Sequence, residues 1–89
     1  MDDQQILDEL VSILEISGIQ VRDESLGGSG GGLCKLRGCQ VFFLDTQASS
    51  FDCASACAQA VERVIDIEQL FIKPQVRQFI EQHGGGAEG

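Results

Sequence analysis

The sequence predicts an α+β domain in the order helix, strand, hairpin, helix, short helix, with a small three-stranded antiparallel sheet. Apolar residues recur at helical spacing near the N-terminus and again after residue 49. A short apolar run over residues 41–44 follows the turn signal Arg37-Gly38. Because 89 residues suffice for one hydrophobic core, we expect residues 1–83 to form a single domain. Residues 84–89 are expected to be a flexible glycine-rich tail.

The predicted hairpin spans residues 33–45. A two-residue loop at Arg37-Gly38 places one set of side chains on a common face, namely Cys34, Leu36, Cys39, Val41 and Phe43. A three-residue loop with Gly38 in a bulge shifts the pairing by one residue, so both registers stay open. If Leu33, Phe42 and Leu44 share the second face, that face needs a cover, which either the later helices or a second copy of the chain supplies.

The N-terminal half is predicted to begin with a helix near residues 3–16. Asp2 or Asp3 is expected to cap its N-terminus, and Gly18 stands where a left-handed C-terminal cap belongs. Alternation of apolar and polar residues then predicts a short strand at residues 19–22.

After the hairpin, Ser49 and Asp52 approximate a capping box, so a second helix is expected to begin there. The segment 66–72 is either a helical turn or a short extended piece, because periodicity cannot distinguish the two over so few residues. Pro74 favours a fresh helix start, and that last helix is expected to end at Gly84.

The charge balance constrains partners. Fourteen acidic and six basic residues give a net charge of −8, which repels phosphate backbones and anionic membranes. We therefore expect neither a nucleic-acid nor a membrane partner. The N-terminus carries no signal-peptide pattern, so we expect a cytoplasmic protein whose four cysteines are thiols.

The glycine run of residues 27–32 invites comparison with phosphate-binding loops, because unhindered amides can surround an anion. Gly27 and Gly32 have the Walker spacing, but Leu33-Cys34 stands where lysine and serine or threonine are required. The following residues also predict a strand instead of a helix. A connector is therefore the favoured interpretation over a phosphate or nucleotide site.

The cysteines offer a second candidate chemistry. Four thiolates can hold tetrahedral zinc, and the candidate ligands are Cys34, Cys39, Cys53 and Cys57. The spacing lacks the tight CxxC loops of common zinc sites. Core packing is favoured, with metal binding and thiol redox chemistry as alternatives.

No catalytic set is predicted. His83 is the sole histidine and falls at the end of the last predicted helix, where a structural role near the terminal carbonyls is favoured. Asp45 ends a predicted strand, where loops often carry function, but a cap or turn role is favoured.

The sequence therefore predicts a small acidic protein without a resident cofactor. The leading hypothesis is a non-enzymatic protein-interaction or regulatory module that forms a homodimer or binds another protein, with Leu33, Phe42 and Leu44 as the candidate interaction residues. The alternatives are a metal-binding or redox-responsive protein and a small enzyme with an unrecognised site.

Overall fold

The fold follows the predicted order of elements. The computed structural model describes residues 1–28 and 30–84. The elements are α1 (Asp3–Ile16), β1 (Gln20–Glu24), β2 (Gly31–Leu36), β3 (Cys39–Asp45), α2 (Ser50–Val64), a 3₁₀ turn (Ile67–Gln69) and α3 (Pro74–His83). The α+β class is confirmed, and the ambiguous segment 66–72 contains a helical turn. None of the described helices combines the length and the apolar character that crossing a membrane requires.

Local capping sets the ends of the first two helices. The Asp2 carboxylate accepts a hydrogen bond from the backbone N–H of Gln5 at 2.9 Å, and the Gln5 side chain accepts from the N–H of Asp2 at 3.0 Å. This reciprocal pair satisfies donors that the first helical turn leaves without partners. Gly18 follows α1 with φ of +90°, and the Ser49 hydroxyl caps α2 by accepting from the N–H of Asp52.

The hairpin closes through the two-residue loop. Arg37 and Gly38 have φ of 53° and 82°, the pair of positive values that matches the twist of the flanking strands. Leu36 pairs with Cys39 and Cys34 with Val41, so the register with the three-residue loop is wrong.

The sheet differs from the prediction in one pairing. β3 lies in the centre, with β2 antiparallel on one side and β1 parallel on the other. The prediction of a purely antiparallel sheet is therefore wrong for β1. It assumed that consecutive strands are neighbours, whereas β1 and β2 lie on opposite sides of β3, so the chain crosses the end of β3 between them.

All three helices lie on one side of the sheet. α1 packs beside β1, α2 packs on β2 and β3, and α3 packs against the other two helices. The core between these layers contains Leu10, Leu14, Phe42, Val61 and Ile80, each fully or almost fully buried. Among residues 1–28 and 30–84, the sheet is thus covered by helices on the face that carries Phe42, and no helix lies on the other face.

The predicted tail begins with a packed residue. Gly84 is buried, and a Cβ atom there would lie 2.6 Å from the carbonyl oxygen of Ile80 and 3.0 Å from that of Ala58. A side chain at this position would therefore clash with the Ile80 carbonyl of α3 itself and press against the Ala58 carbonyl of α2. Residues 85–89, the rest of the predicted tail, lie outside the described residues.

Two adjacent glycines of β2 provide a test of the crossover. Gly31 has φ of +108°, and a Cβ there would overlap the carbonyl oxygen of Phe43, whereas Gly32 has open space around it. We expect Gly31→Ala to lower the free energy of unfolding by more than about 2 kcal/mol. Gly32→Ala should leave it unchanged or raise it by up to about 1 kcal/mol.

Urea unfolding followed by circular dichroism measures both variants. Equal stabilities for the two would contradict the tight backbone approach at Gly31.

Candidate functional site

The Asp45 carboxylate organises the loop that connects β1 to β2. Asp45 is the last residue of the central strand and is 1% exposed. One carboxylate oxygen accepts from the backbone N–H groups of Leu26 at 3.0 Å and Gln47 at 2.9 Å. The other accepts from the N–H groups of Gly28 at 2.7 Å and Gly30 at 3.1 Å. A single side chain thus holds both the crossover loop and the turn after β3.

These hydrogen bonds change the acidity of Asp45. Burial by itself raises the pKa of the carboxyl group, but the four backbone donors favour the ionised form and lower the pKa from 3.8 to about 2. The side chain is therefore a carboxylate throughout the physiological pH range, and its lone pairs are directed at loop amides.

The same hydrogen bonds bear on whether the glycine run of residues 27–32 could bind a phosphate. The N–H groups of Leu26, Gly28 and Gly30 already donate to Asp45, and that of Gly27 donates to the Gln47 side chain at 2.9 Å. The amides that would surround a phosphate thus surround an internal carboxylate. The favoured interpretation, a connector, agrees with this arrangement.

The sheet separates the four cysteines into two pairs. Cys34 and Cys39 are exposed on the face that lacks helices. Cys53 and Cys57 are buried in α2, where they belong to the core on the other face. Among residues 1–28 and 30–84, no three histidine, cysteine, aspartate or glutamate side chains converge in a way that could hold a metal ion.

The buried thiols are held in the protonated form. Burial raises the pKa of the Cys57 thiol to about 12, with a smaller contribution from the neighbouring Cys53. Burial also raises the pKa of Cys53, and the negative charge of Asp45 acts in the same direction. The Cys53 thiol lies 3.2 Å from the carbonyl oxygen of Asp45, to which it donates. Both residues are placed as the core side chains that the favoured interpretation expected, whereas that interpretation is wrong for Cys34 and Cys39, which are exposed.

His83 lies in an aromatic cluster. Its ring centroid is 4.5 Å from that of Phe79 and 5.1 Å from that of Phe51. The ring therefore packs between α2 and α3, in keeping with a structural role.

The predicted interaction residues occupy the helix-covered face. Phe42 is fully buried, and Leu33 and Leu44 are partly buried against the core. They share one face, which α2 covers over β2 and β3 and α1 covers beside β1. The face without a helix is the opposite one, which carries Cys34, Leu36, Cys39, Val41 and Phe43. We call it the open face.

The open face has an apolar centre and a charged edge. Leu36 is 44% exposed, while Val41 is buried although it lies outside the core beneath the helices. On the neighbouring β1, the Arg22 guanidinium lies 5.9 Å from the centre of the Phe43 ring and 3.7 Å from the Glu24 carboxylate.

Two depressions mark the helical side. One, of about 80 Å³, lies between β2 and α2 and is lined by Gly31, Gly32, Leu33, Ala56, Gln59, Ala60 and Arg63. The other, of about 240 Å³, is lined by Met1, Ile6, Phe79 and three glutamines of α3. Neither lining brings together a nucleophile and a base.

Comparison of the chain with models of protein families, with curated proteins and with solved structures gives no match.

Sequence reasoning identified Asp45 as a turn residue but missed its role in the crossover loop. The signal in the sequence was an aspartate at the end of a strand together with a glycine run between two other strands. Their connection becomes visible only once β1 and β2 are known to flank β3.

We expect Asp45→Asn to destabilise the protein at neutral pH, because an amide nitrogen would face loop N–H groups that now donate to an oxygen. The folded-state pKa of Asp45 lies below its ordinary value, so its stabilising contribution is complete above about pH 4 and is lost as the pH falls to about 2. Urea unfolding between pH 2 and 7 should therefore show the two proteins converging as the pH falls through this window.

Asp23→Asn removes the same charge from an exposed position of β1 and serves as the control. A constant stability difference between wild type and Asp45→Asn from pH 7 to pH 2 would contradict the role of the ionised carboxylate.

The thiols should react in two classes. Cys34 and Cys39 are exposed and should be alkylated rapidly by iodoacetamide. Cys53 and Cys57 are buried, so they can react only when the core opens transiently. With opening free energies of about 4 kcal/mol or more, the buried pair should react on the order of a thousandfold more slowly. Mass spectrometry of timed digests measures the four rates, and four equal rates would contradict the placement of α2.

Proposed function

We propose that the protein is a non-enzymatic interaction module that forms a two-fold homodimer through the open face. The observation that carries this proposal is the one-sided cover of the sheet, which leaves the exposed Leu36, Cys34 and Cys39 on a surface without a helix. Apolar centres with polar rims are typical of protein interfaces.

The rim favours a second copy as the partner. Arg22 and Glu24 give the β1 side of the open face one cation and one anion, each with roughly half of its side chain exposed. A two-fold axis brings identical patches together. The cation of one protomer can then pair with the anion of the other, so the surface is self-complementary in charge.

The dimer is expected to be weak. Three strands about 4.8 Å apart and about five residues long give a sheet face of roughly 14 by 17 Å, far below the roughly 800 Å² that each partner buries in a standard interface. The net charge of −8 adds repulsion between the two copies. We expect association in the micromolar range or weaker, and the free thiols of the open face are compatible with a reducing, cytoplasmic location.

A leucine-to-glutamate substitution tests the dimer. Leu36 is 44% exposed on the open face, and Leu26 is 42% exposed in the crossover loop. Leu36→Glu should raise the dimer dissociation constant at least about tenfold, because an interfacial charge would have to lose its water. Leu26→Glu makes the same change outside the open face and should leave the constant unaltered.

Sedimentation equilibrium over a wide concentration range measures both variants beside wild type. As a second readout, a short bismaleimide should cross-link wild-type dimers through Cys34 or Cys39, and the double variant Cys34→Ser, Cys39→Ser should give no cross-link. A wild-type protein that stays monomeric at millimolar concentration would refute the proposal.

A further inference from the structure

The outer edge of β2 presents backbone groups without a neighbouring strand. β2 is an edge strand of the sheet. In a hairpin with a two-residue loop, the two residues that flank the loop form hydrogen bonds with each other through their N–H and C=O groups. Every second residue of each strand, counted from these two, does the same, and the residues between them direct their N–H and C=O groups away from the partner strand. The pairing of Leu36 with Cys39 therefore directs the backbone groups of Leu33 and Lys35 outward. Within residues 1–28 and 30–84, these groups have no backbone partner outside the sheet.

The two edges of the sheet differ in protection. β1 carries Arg22, Asp23 and Glu24 in five residues, and such charges discourage a further strand. β2 begins with Gly31, Gly32 and Leu33 and has its single charge at Lys35. A further strand can therefore pair more readily with β2 than with β1.

A groove runs alongside this edge. The depression of about 80 Å³ between β2 and α2 is lined by glycines of the strand and by Ala56 and Ala60 of the helix. Gly30 lies close to the start of α2, at Asp52 and Ala56, while Leu33 shares the groove with Ala60 and Arg63. Small residues on both walls leave space for side chains of an added strand.

The charges around the groove indicate which strand fits it. Arg22, Lys73 and Arg77 each have an acidic group within 4 Å in the described part of the chain. The other three cations have no such partner there: Arg63 lines the groove, Lys35 ends the outward-facing series of β2, and Arg37 forms the hairpin loop. Of these three cations, Arg63 lines the groove itself, and Lys35 lies two residues beyond Leu33, the last residue of β2 that lines it.

From these observations we propose that the β2 edge and its groove bind an extended peptide segment of a partner protein, with an acidic side chain placed toward Arg63 and Lys35. The backbone of the peptide pairs with Leu33 and Lys35, and alternate side chains enter the groove, which is the general mode of strand addition. This inference concerns a second surface and does not rest on the dimer.

Surface-immobilised eight-residue peptides of valine and threonine test the proposal. Each peptide carries glutamate, glutamine or lysine at one position, and binding of the purified protein is measured by surface plasmon resonance below the concentrations at which dimer forms. We expect glutamate peptides to bind best, with an affinity that falls as salt is added. Peptides that are N-methylated at alternate residues should lose binding, since they cannot pair with the edge.

Variants separate the backbone and charge contributions. Lys35→Pro removes an outward N–H while leaving the bonds to β3, and it should weaken binding about tenfold beyond Lys35→Gln, which removes the charge alone. Arg63→Gln should weaken binding of the glutamate peptide about threefold to fivefold and leave the glutamine peptide unaffected. Arg77→Gln, which alters a cation already paired with Glu68 and Glu81, is the matched control.

Amide hydrogen exchange provides a readout that general stabilisation would not reproduce. On peptide binding, the N–H groups of Leu33 and Lys35 should gain protection while the already bonded N–H groups of Gly32, Cys34 and Leu36 change little. Equal binding of glutamate and glutamine peptides, absence of binding by all of them, or protection without this alternation would overturn the proposal. Protection of the same amides in the free protein as its concentration rises would also overturn it, since a second copy would then occupy the edge.

Discussion

The hydrogen bonds between the Asp45 carboxylate and the crossover loop are the interaction on which the topology depends. β1 and β2 both meet the end of β3 at which Asp45 lies, so the chain between them has to pass over that end. When the loop packs on the end of the sheet, its backbone amide groups lose their hydrogen bonds to water. Each amide left without another acceptor would destabilise the folded state. The carboxylate accepts from three loop residues and from Gln47. Gly31 then enters β2 with a backbone conformation that side chains disfavour. The Asp45 carboxylate and Gly31 thus allow β1 to pair in parallel with β3 without a helix between β1 and β2.

This topology also decides where surface remains available. α1 and α2 pack on the face of Phe42, and the small side chains Ala54, Ala58 and Ala60 of α2 belong to the core that forms there. Three short helices cover only one side of the sheet, so the open face and the β2 edge are left to solvent or to partners. The charges differ between them: the open face has a balanced rim of Arg22 and Glu24, whereas the groove beside β2 is lined by the cation Arg63. A protein with a net charge of −8 therefore has two surfaces with different electrostatic preferences.

Prediction from the sequence succeeded where the signal is local. The bounds of α1 follow from Asp2 and the apolar spacing, the hairpin loop follows from Arg37-Gly38, and the start of α3 follows from Pro74, because caps, turns and proline act within a few residues. The strand predicted at residues 19–22 extends from Gln20 to Glu24, because Asp23 and Glu24 pair with β3 although they are charged. The period of two predicts the face assignments of the hairpin correctly. It does not predict which face the helices cover, because both faces carry apolar residues.

The sequence by itself thus determined the elements, their order, the hairpin register and the burial of Cys57 on the apolar side of α2. The tertiary structure alone decided the parallel partner of β1, the internal carboxylate that fills the glycine loop, and the separation of the cysteines into an exposed and a buried pair. The physical reason is the distance along the chain. Asp45 and its loop donors are 15 to 19 residues apart, and no local pattern of polarity or propensity records a contact of that range. Strand neighbours and loop anchors of this kind result from the packing of the whole chain.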